Sequence, residues 1–195
     1  MPDAPLNPAP QPARGALGRF LAAGLLVLAD LASKAYLFEY LERRPGASPP
    51  GGAEVWFNGH WRVPLLGDFL GLMLSENRGA AWGIGDQFPW LLVGGRCVAV
   101  LVLAAMVLRA AVQPPVMRAA LVLILAGAVG NLYDNLFRTP PEGHPFGAVR
   151  DFIHVYFERW DYHFPTFNVA DSCITVGAAC LLLAGFLPQR RPAAP

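Results

Sequence analysis

The chain has 195 residues, of which 54% are hydrophobic and only 15% charged, with a mean hydropathy of +0.38. Soluble domains carry about 25% charged residues, so this composition excludes an ordinary soluble domain, a disordered chain and a disulfide-stapled mini-protein. It points to a small integral membrane protein, and a net charge of +1 gives no electrostatic case for a nucleic-acid partner.

Residues 1–16, with Pro at 2, 5, 8, 10 and 12, are expected to form a disordered tail. A membrane helix needs about 20 apolar residues, and four stretches qualify: Leu17–Phe38, Phe88–Leu108, Met117–Phe137 and Phe164–Leu187. The first is too long for a signal-peptide core and carries Asp30 and Lys34, so it is expected to be retained. Residues 17–187 then form one membrane domain with 188–195 as a second tail. No repeated or inverted unit is visible among the spans, which speaks against a transporter.

Between the first two spans, Asn58-Gly59 separates Glu54–Phe57 from His60–Val63, a strong hairpin signal. Gly67-Asp68 marks a second turn before Phe69–Ser75. A three-stranded meander within about 54–76 is expected on the membrane surface, with Pro64 shortening or breaking its middle strand. The aromatic-rich segment 152–167 predicts a second interfacial element just before the fourth span.

Four spans place both termini on one side, together with Arg14, Arg19, Arg109, Arg118, Arg190 and Arg191. The positive-inside rule makes that side cytoplasmic. All five tryptophans (56, 61, 82, 90, 160) and all four histidines (60, 144, 154, 163) then fall at or beyond the outer interface.

Charges inside a bilayer cost roughly 2.5–3.5 kcal/mol each on insertion scales, so each one asks for a reason. Asp30 and Lys34 lie four apart on one face of the first span; an internal ion pair, or Lys34 snorkelling to the interface, competes with a functional role. Lys34 is the only lysine of the fifteen basic residues, which suggests that a compact ammonium is needed there. Arg96 in the second span is read as snorkelling. On the third span Gly127, Gly130, Asn131 and Asp134 share a face that is both small and polar, and Asn168 and Asp171 lie one turn apart near the outer end of the fourth. Asp151 precedes that span, so Asp151 and Asp171 are placed near the same leaflet. Two carboxylates in a partly dry site cannot both ionise easily, and such a pair can activate water. Solvated or structural acids are the competing reading.

Other chemistries fit less well. Cys173 and Cys180 are about 10.5 Å apart along a helix, too far for a disulfide. A zinc site from His144, His154, His163 and Asp151 lacks an HExxH motif. Ser33, Ser75 and Ser172 have no GxSxG context.

Asp30-Leu-Ala-Ser-Lys34, Asn77-Arg-Gly-Ala-Ala-Trp82, Gly130-Asn-Leu-Tyr-Asp134, Val149-Arg-Asp-Phe-Ile153 and Phe167-Asn-Val-Ala-Asp171 resemble, in order, the blocks of bacterial lipoprotein signal peptidase (signal peptidase II). The resemblance runs from about residue 20 to 187. It implies four transmembrane helices with a small extracytoplasmic β-cradle, and an aspartic endopeptidase of the bacterial inner membrane whose active site faces the outer leaflet. Such enzymes cut diacylglyceryl-modified prolipoproteins just before the lipidated cysteine, among membrane phospholipid, with no metal or other cofactor and no obligate protein partner. Asp151 and Asp171 would be the catalytic pair, and Asp30, Lys34, Asn77, Gly79, Gly130, Asn131, Asp134, Asn168 and Ala170 would line or support the site. The chain departs from the family at Asn135, where arginine is usual; Arg138, three residues on, is expected to reach the same region. Trp82 stands where phenylalanine is common, and the loops before Glu54 and across 138–148 are longer than usual. A small ion transporter and a membrane scaffold are the rival readings of the same features.

Overall fold

The structure is a computed structural model that describes residues 15–42, 54–56, 60–79 and 84–186. Helix α1 (Ala16–Glu42) is followed by strands β1 (Glu54–Trp56), β2 (His60–Leu66) and β3 (Leu70–Asn77). Helices α2 (Pro89–Arg109) and α3 (Pro115–Phe137) come next, then β4 (Val149–Phe157), β5 (Tyr162–Phe167) and α4 (Val169–Phe186). Both α2 and α3 begin on a proline, where the missing N–H would have had no intrahelical partner.

The first three helices are long and apolar enough to cross a membrane, and the described part of α4, Val169–Gly185, is apolar but shorter. Helix α3 is the central one and packs against α1, α2 and α4. Its contact with α1 and α2 is a core of small and branched residues, including Ala23, Val107, Ala110, Leu121, Leu125 and Ala126. Leu25, Leu28, Leu91, Leu101, Leu182 and Leu183 point outward instead. Such a girdle of exposed leucine is the surface a lipid bilayer, not water, would cover. Arg19 at the start of α1 donates from Nε to the Val107 carbonyl at 2.9 Å, which ties the beginning of α1 to the end of α2.

All five strands form one antiparallel sheet in the order β1-β2-β3-β4-β5. The meander is present, although its Asn58-Gly59 turn lies outside the described residues. The second interfacial element is not separate: β4 pairs with β3 and β5 with β4, so the sheet runs well beyond residue 76. Accordingly α4 starts at Val169 rather than Phe164. Hydropathy merges an apolar strand with the helix that follows it, whereas Asn168 marks the boundary physically by capping α4. Pro64 does not end β2; the register shifts between Pro64 and Leu66, as a residue without an N–H donor requires. Gly67 turns the chain there with φ of 51°. Inside the sheet, buried Arg62 donates from Nε to His154 Nδ1 at 3.0 Å and from Nη2 to the Asp68 carbonyl at 2.7 Å. Burial, with the charge of Arg62 second, pushes His154 down to about 4, so it is a neutral imidazole that accepts at Nδ1.

The approach of α4 to α3 depends on missing side chains. A Cβ on Gly127 would lie 2.2 Å from the Ala170 carbonyl oxygen, and one on Gly130 would lie 2.5 Å from Asp30 Oδ2. Alanine is favoured over glycine in a helix by about 1 kcal/mol, but here overpacking decides the sign. Gly127→Ala should destabilise by about 2 kcal/mol or more. Gly94→Ala on α2, where nothing lies within 4 Å, should be neutral or stabilising. Thermal midpoints of the two variants in the same detergent check the contrast.

Candidate active site

Lys34 is fully buried, and its ammonium has three acceptors for its three donors. Nζ lies 2.8 Å from Asp30 Oδ2, one turn back on α1, and 3.3 Å from Asp134 Oδ2 on α3. The third partner is Asn131 Oδ1 at 3.0 Å. Lys34 therefore does not snorkel; the internal ion pair of the sequence reading is real and extends to a second acid on another helix.

Each acid in this cluster also grips a further element. Asp30 Oδ1 accepts from the Ala170 backbone N–H at 2.8 Å, placing a carboxylate at the N-terminus of α4 where the helix dipole favours it. Asp134 accepts from Arg150 Nη2 at 2.7 Å through Oδ1 and from the Arg150 backbone N–H at 3.0 Å through Oδ2. Strand β4 is thereby clamped to α3 immediately beside Asp151.

Asn168 caps α4 in a reciprocal arrangement: its Oδ1 accepts from the Asp171 N–H at 2.8 Å, and its own N–H donates to Asp171 Oδ2 at 3.2 Å. Its Nδ2 donates to Asp151 Oδ1 at 2.7 Å. One buried asparagine thus touches both carboxylates. Asn131 completes the link, donating from Nδ2 to Asp171 Oδ1 at 2.7 Å while its Oδ1 faces Lys34. Asn77 on β3 hydrogen-bonds Asp151 through its side chain and turns the chain by accepting from the Gly79 N–H at 3.0 Å.

Asp151 is 1% exposed. Burial first, and the neighbouring Asp171 second, push its carboxyl up to about 8 against the lowering influence of Asn168, Lys34 and Asn77. Of the two acids, it is therefore the one whose surroundings favour the protonated form. Asp171 is only half-buried. Both acids line a cavity of about 1100 Å³, with Asn77, Gly79, Arg96 and Asn131 also on its wall. Ala99 of α2, Ala128 of α3 and Ile174 and Val176 of α4 make its apolar side.

The structure thus brings Asp151, Asp171, Asn77, Gly79, Asn131 and Asn168 to one place, with Asp30, Lys34, Gly130, Asp134 and Ala170 directly behind. Arg138 is not itself on the cavity wall, but its Nη1 donates at 2.8 Å to Oε1 of Glu76, which is, and at 3.3 Å to the Ala148 carbonyl. Arg96 is the residue that the sequence reading misplaced. It is not at the lipid interface; Nη1 donates to Asn135 Oδ1 and Nη2 to the Gly79 carbonyl at 3.0 Å. Trp82 lies outside the described residues. The long 138–148 loop folds back on α2, where Phe146 meets Trp90 edge-on at 4.7 Å between ring centroids. Asn135 pins the loop by donating from Nδ2 to the Gly147 carbonyl at 2.8 Å. Among the described residues no His, Cys, Asp and Glu cluster could hold a metal ion.

Apolar helices around a pair of carboxylates bridged by one asparagine define a helical membrane protein with a polar pocket. Residues 22–187 match the family profile of signal peptidase (SPase) II. A lipoprotein signal peptidase of Yersinia pestis (strain Pestoides F) is 36% identical over 143 residues, which span 69% of this chain and 78% of that protein. The lipoprotein signal peptidase of Yersinia pseudotuberculosis serotype O:3 (strain YPIII) matches to the same extent. A bacterial membrane enzyme solved by the in meso method at 2.3 Å superposes with a TM-score of 0.65 at 24% identity, covering 91% of this chain and 94% of the other. The chain belongs to the signal peptidase II family.

If Lys34 acts by holding Asp30 and Asp134, Lys34→Met should leave two buried acids short of a partner. A loss of about 3–5 kcal/mol is expected, seen as a lower thermal midpoint in detergent. An unchanged midpoint with abolished turnover would reassign Lys34 to the chemistry.

Proposed function

We propose that this chain is an aspartic endopeptidase of the bacterial inner membrane that removes signal peptides from diacylglyceryl-modified prolipoproteins, cutting just before the lipidated cysteine. Membership of the signal peptidase II family favours a peptidase over the transporter and scaffold readings. The observation that carries the catalytic assignment is Asn168, which bonds to Asp151 and Asp171 together at the wall of one cavity.

The two acids have different surroundings and so different tasks. Asp151, buried and protonated, is the general acid. Asp171, at the N-terminus of α4 and facing N–H donors of Asn131 and Asn168, is the general base. Water held between them attacks the carbonyl carbon of the residue preceding the cysteine. Asp171 takes a proton from that water while Asp151 donates to the carbonyl oxygen. Collapse of the gem-diol intermediate breaks the C–N bond: the proton on Asp171 passes to the leaving amine, and a hydroxyl of the diol returns its proton to Asp151 as the carbonyl re-forms. The acyl chains stay in the outer leaflet, with the apolar side of the cavity towards them, and supply binding energy remote from the scissile bond. Arg19, Arg109 and Arg118 at the far ends of the helices support, by the positive-inside rule, an orientation with that end of the bundle towards the cytoplasm.

Purified enzyme in detergent should cleave a diacylglyceryl-modified prolipoprotein before its cysteine. Asp151→Asn and Asp171→Asn should each lower the rate at least about 100-fold while remaining folded. Retained cleavage in either would overturn the dyad.

A pH profile tests the acid separately. Because the Asp151 carboxyl is raised, its proton is present below about 8 and lost as pH rises through that value. kcat/KM should therefore fall on an alkaline limb near pH 8. A flat profile to pH 10 would remove Asp151 as the acid.

A further inference from the structure

The charges behind the dyad cancel in pairs. Lys34 and Arg150 are matched by Asp30 and Asp134, with each cation in direct contact with one or both of those acids. That leaves a half-buried guanidinium, Arg96, on the cavity wall together with the two aspartates. An arginine in the middle of an apolar helix is costly unless it is partnered or used. Its two bonds to protein, to Asn135 Oδ1 and the Gly79 carbonyl, use neutral acceptors and two of its five donors. Neither bond neutralises it, so its charge acts on Asp171 and Asp151 instead.

We propose that Arg96 is a positioning residue of this site: its guanidinium holds the dyad in the singly ionised form and fastens the Asn77–Gly79 turn, which bears on Asp151, to α3. This rests on the aspartic reading above. A buried carboxylate and a half-buried one beside an apolar wall tend to take up protons, and a dyad with two protons has no base. A fixed positive charge from α2 opposes that without entering the reaction. The position also gives Asn135 a task, since Asn135 presents its oxygen to Arg96 and its nitrogen to the 138–148 loop. The other charged groups facing this cavity are Glu76 and Arg78 near β3 and Asp86 before α2, all exposed, with Lys34 behind Asn131.

Arg96→Gln keeps a polar side chain of similar reach and removes the charge, and Arg96→Lys restores it. With wild type and Asp171→Asn measured alongside on the diacylglyceryl-modified substrate, Arg96→Gln should lower kcat at least about tenfold with KM moving less than kcat. Loss of a positive charge disfavours the carboxylate, so the acidic limb of kcat/KM should move to higher pH. Arg96→Lys should return the limb towards its wild-type position and recover part of kcat, even if Arg96→Gln folds poorly. A wild-type kcat in Arg96→Gln, or a fall in kcat with the acidic limb unmoved in both variants, would overturn the proposal and leave Arg96 a packing residue. Failure of the wild type to cleave would overturn the peptidase reading, and this one with it.

Discussion

A single ammonium, buried where three helices meet, sets the geometry of everything above it. Lys34 has no access to water, so its charge is tolerable only with every donor engaged and with opposite charge in contact. Asp30, Asp134 and Asn131 meet that requirement from two helices. The depth and rotation of α1 against α3 follow from it, because no other setting would bring those three oxygens to one nitrogen. The acids then extend the constraint outward, Asp30 to the first turn of α4 and Asp134 to the start of β4. A lysine suits this centre better than an arginine, since three acceptors converge on a point rather than on a planar fork.

The two aspartates come from elements of different kinds, one from a sheet strand and one from a helix. Their relation is fixed only because both elements are tied to α3. Arg150 precedes Asp151 by one residue and is held by Asp134; Asn168 precedes Asp171 by one helical turn and caps the helix that carries it. Each catalytic candidate thus has an anchoring residue almost adjacent in sequence, and both anchors lead back to the Lys34 cluster. The small residues of α3 belong to the same scheme. Without a Cβ at Gly127 and Gly130, the α4 terminus and the Asp30 carboxylate come close enough to bond. Residues that read separately as helix packing and as polar chemistry are therefore one device.

Much of this was legible because the underlying signals are local. Apolar length marks the spans, and a spacing of three or four puts Gly127, Gly130, Asn131 and Asp134 on one face before any contact is known. Intramembrane charge marks Asp30 and Lys34 as costly. What could not be read was direction. Hydropathy gives the depth of Arg96 but not which way its helix is rotated, and its partners, Gly79 and Asn135, lie 17 and 39 residues away. Depth alone fits snorkelling, whereas the rotation of α2 turns Arg96 towards Asn135 and Gly79. Arg138 stops one residue short of the cavity: it follows Asn135 by three positions, but α3 ends at Phe137 and the turn carries its side chain to Glu76 on the wall. The sheet was only half visible, since a strand built from Phe164 to Phe167 looks like the beginning of a span when apolar character alone is weighed.

Charge balance connects the buried cluster to the reacting pair. In a medium of low dielectric an unbalanced charge is removed by moving a proton, so the protonation state of a dyad depends on every fixed charge around it. Lys34 and Arg150 are matched within their own cluster by Asp30 and Asp134, so that cluster carries no net charge, although Lys34 still favours the ionised form of Asp151. A dyad with one proton carries one negative charge. The half-buried guanidinium facing it supplies the compensating positive charge from a helix that contributes neither acid. With that balance, the single-proton state needed for acid and base to act together is also the state in which the dyad and Arg96 carry no net charge between them. Burial then strengthens the arrangement instead of opposing it.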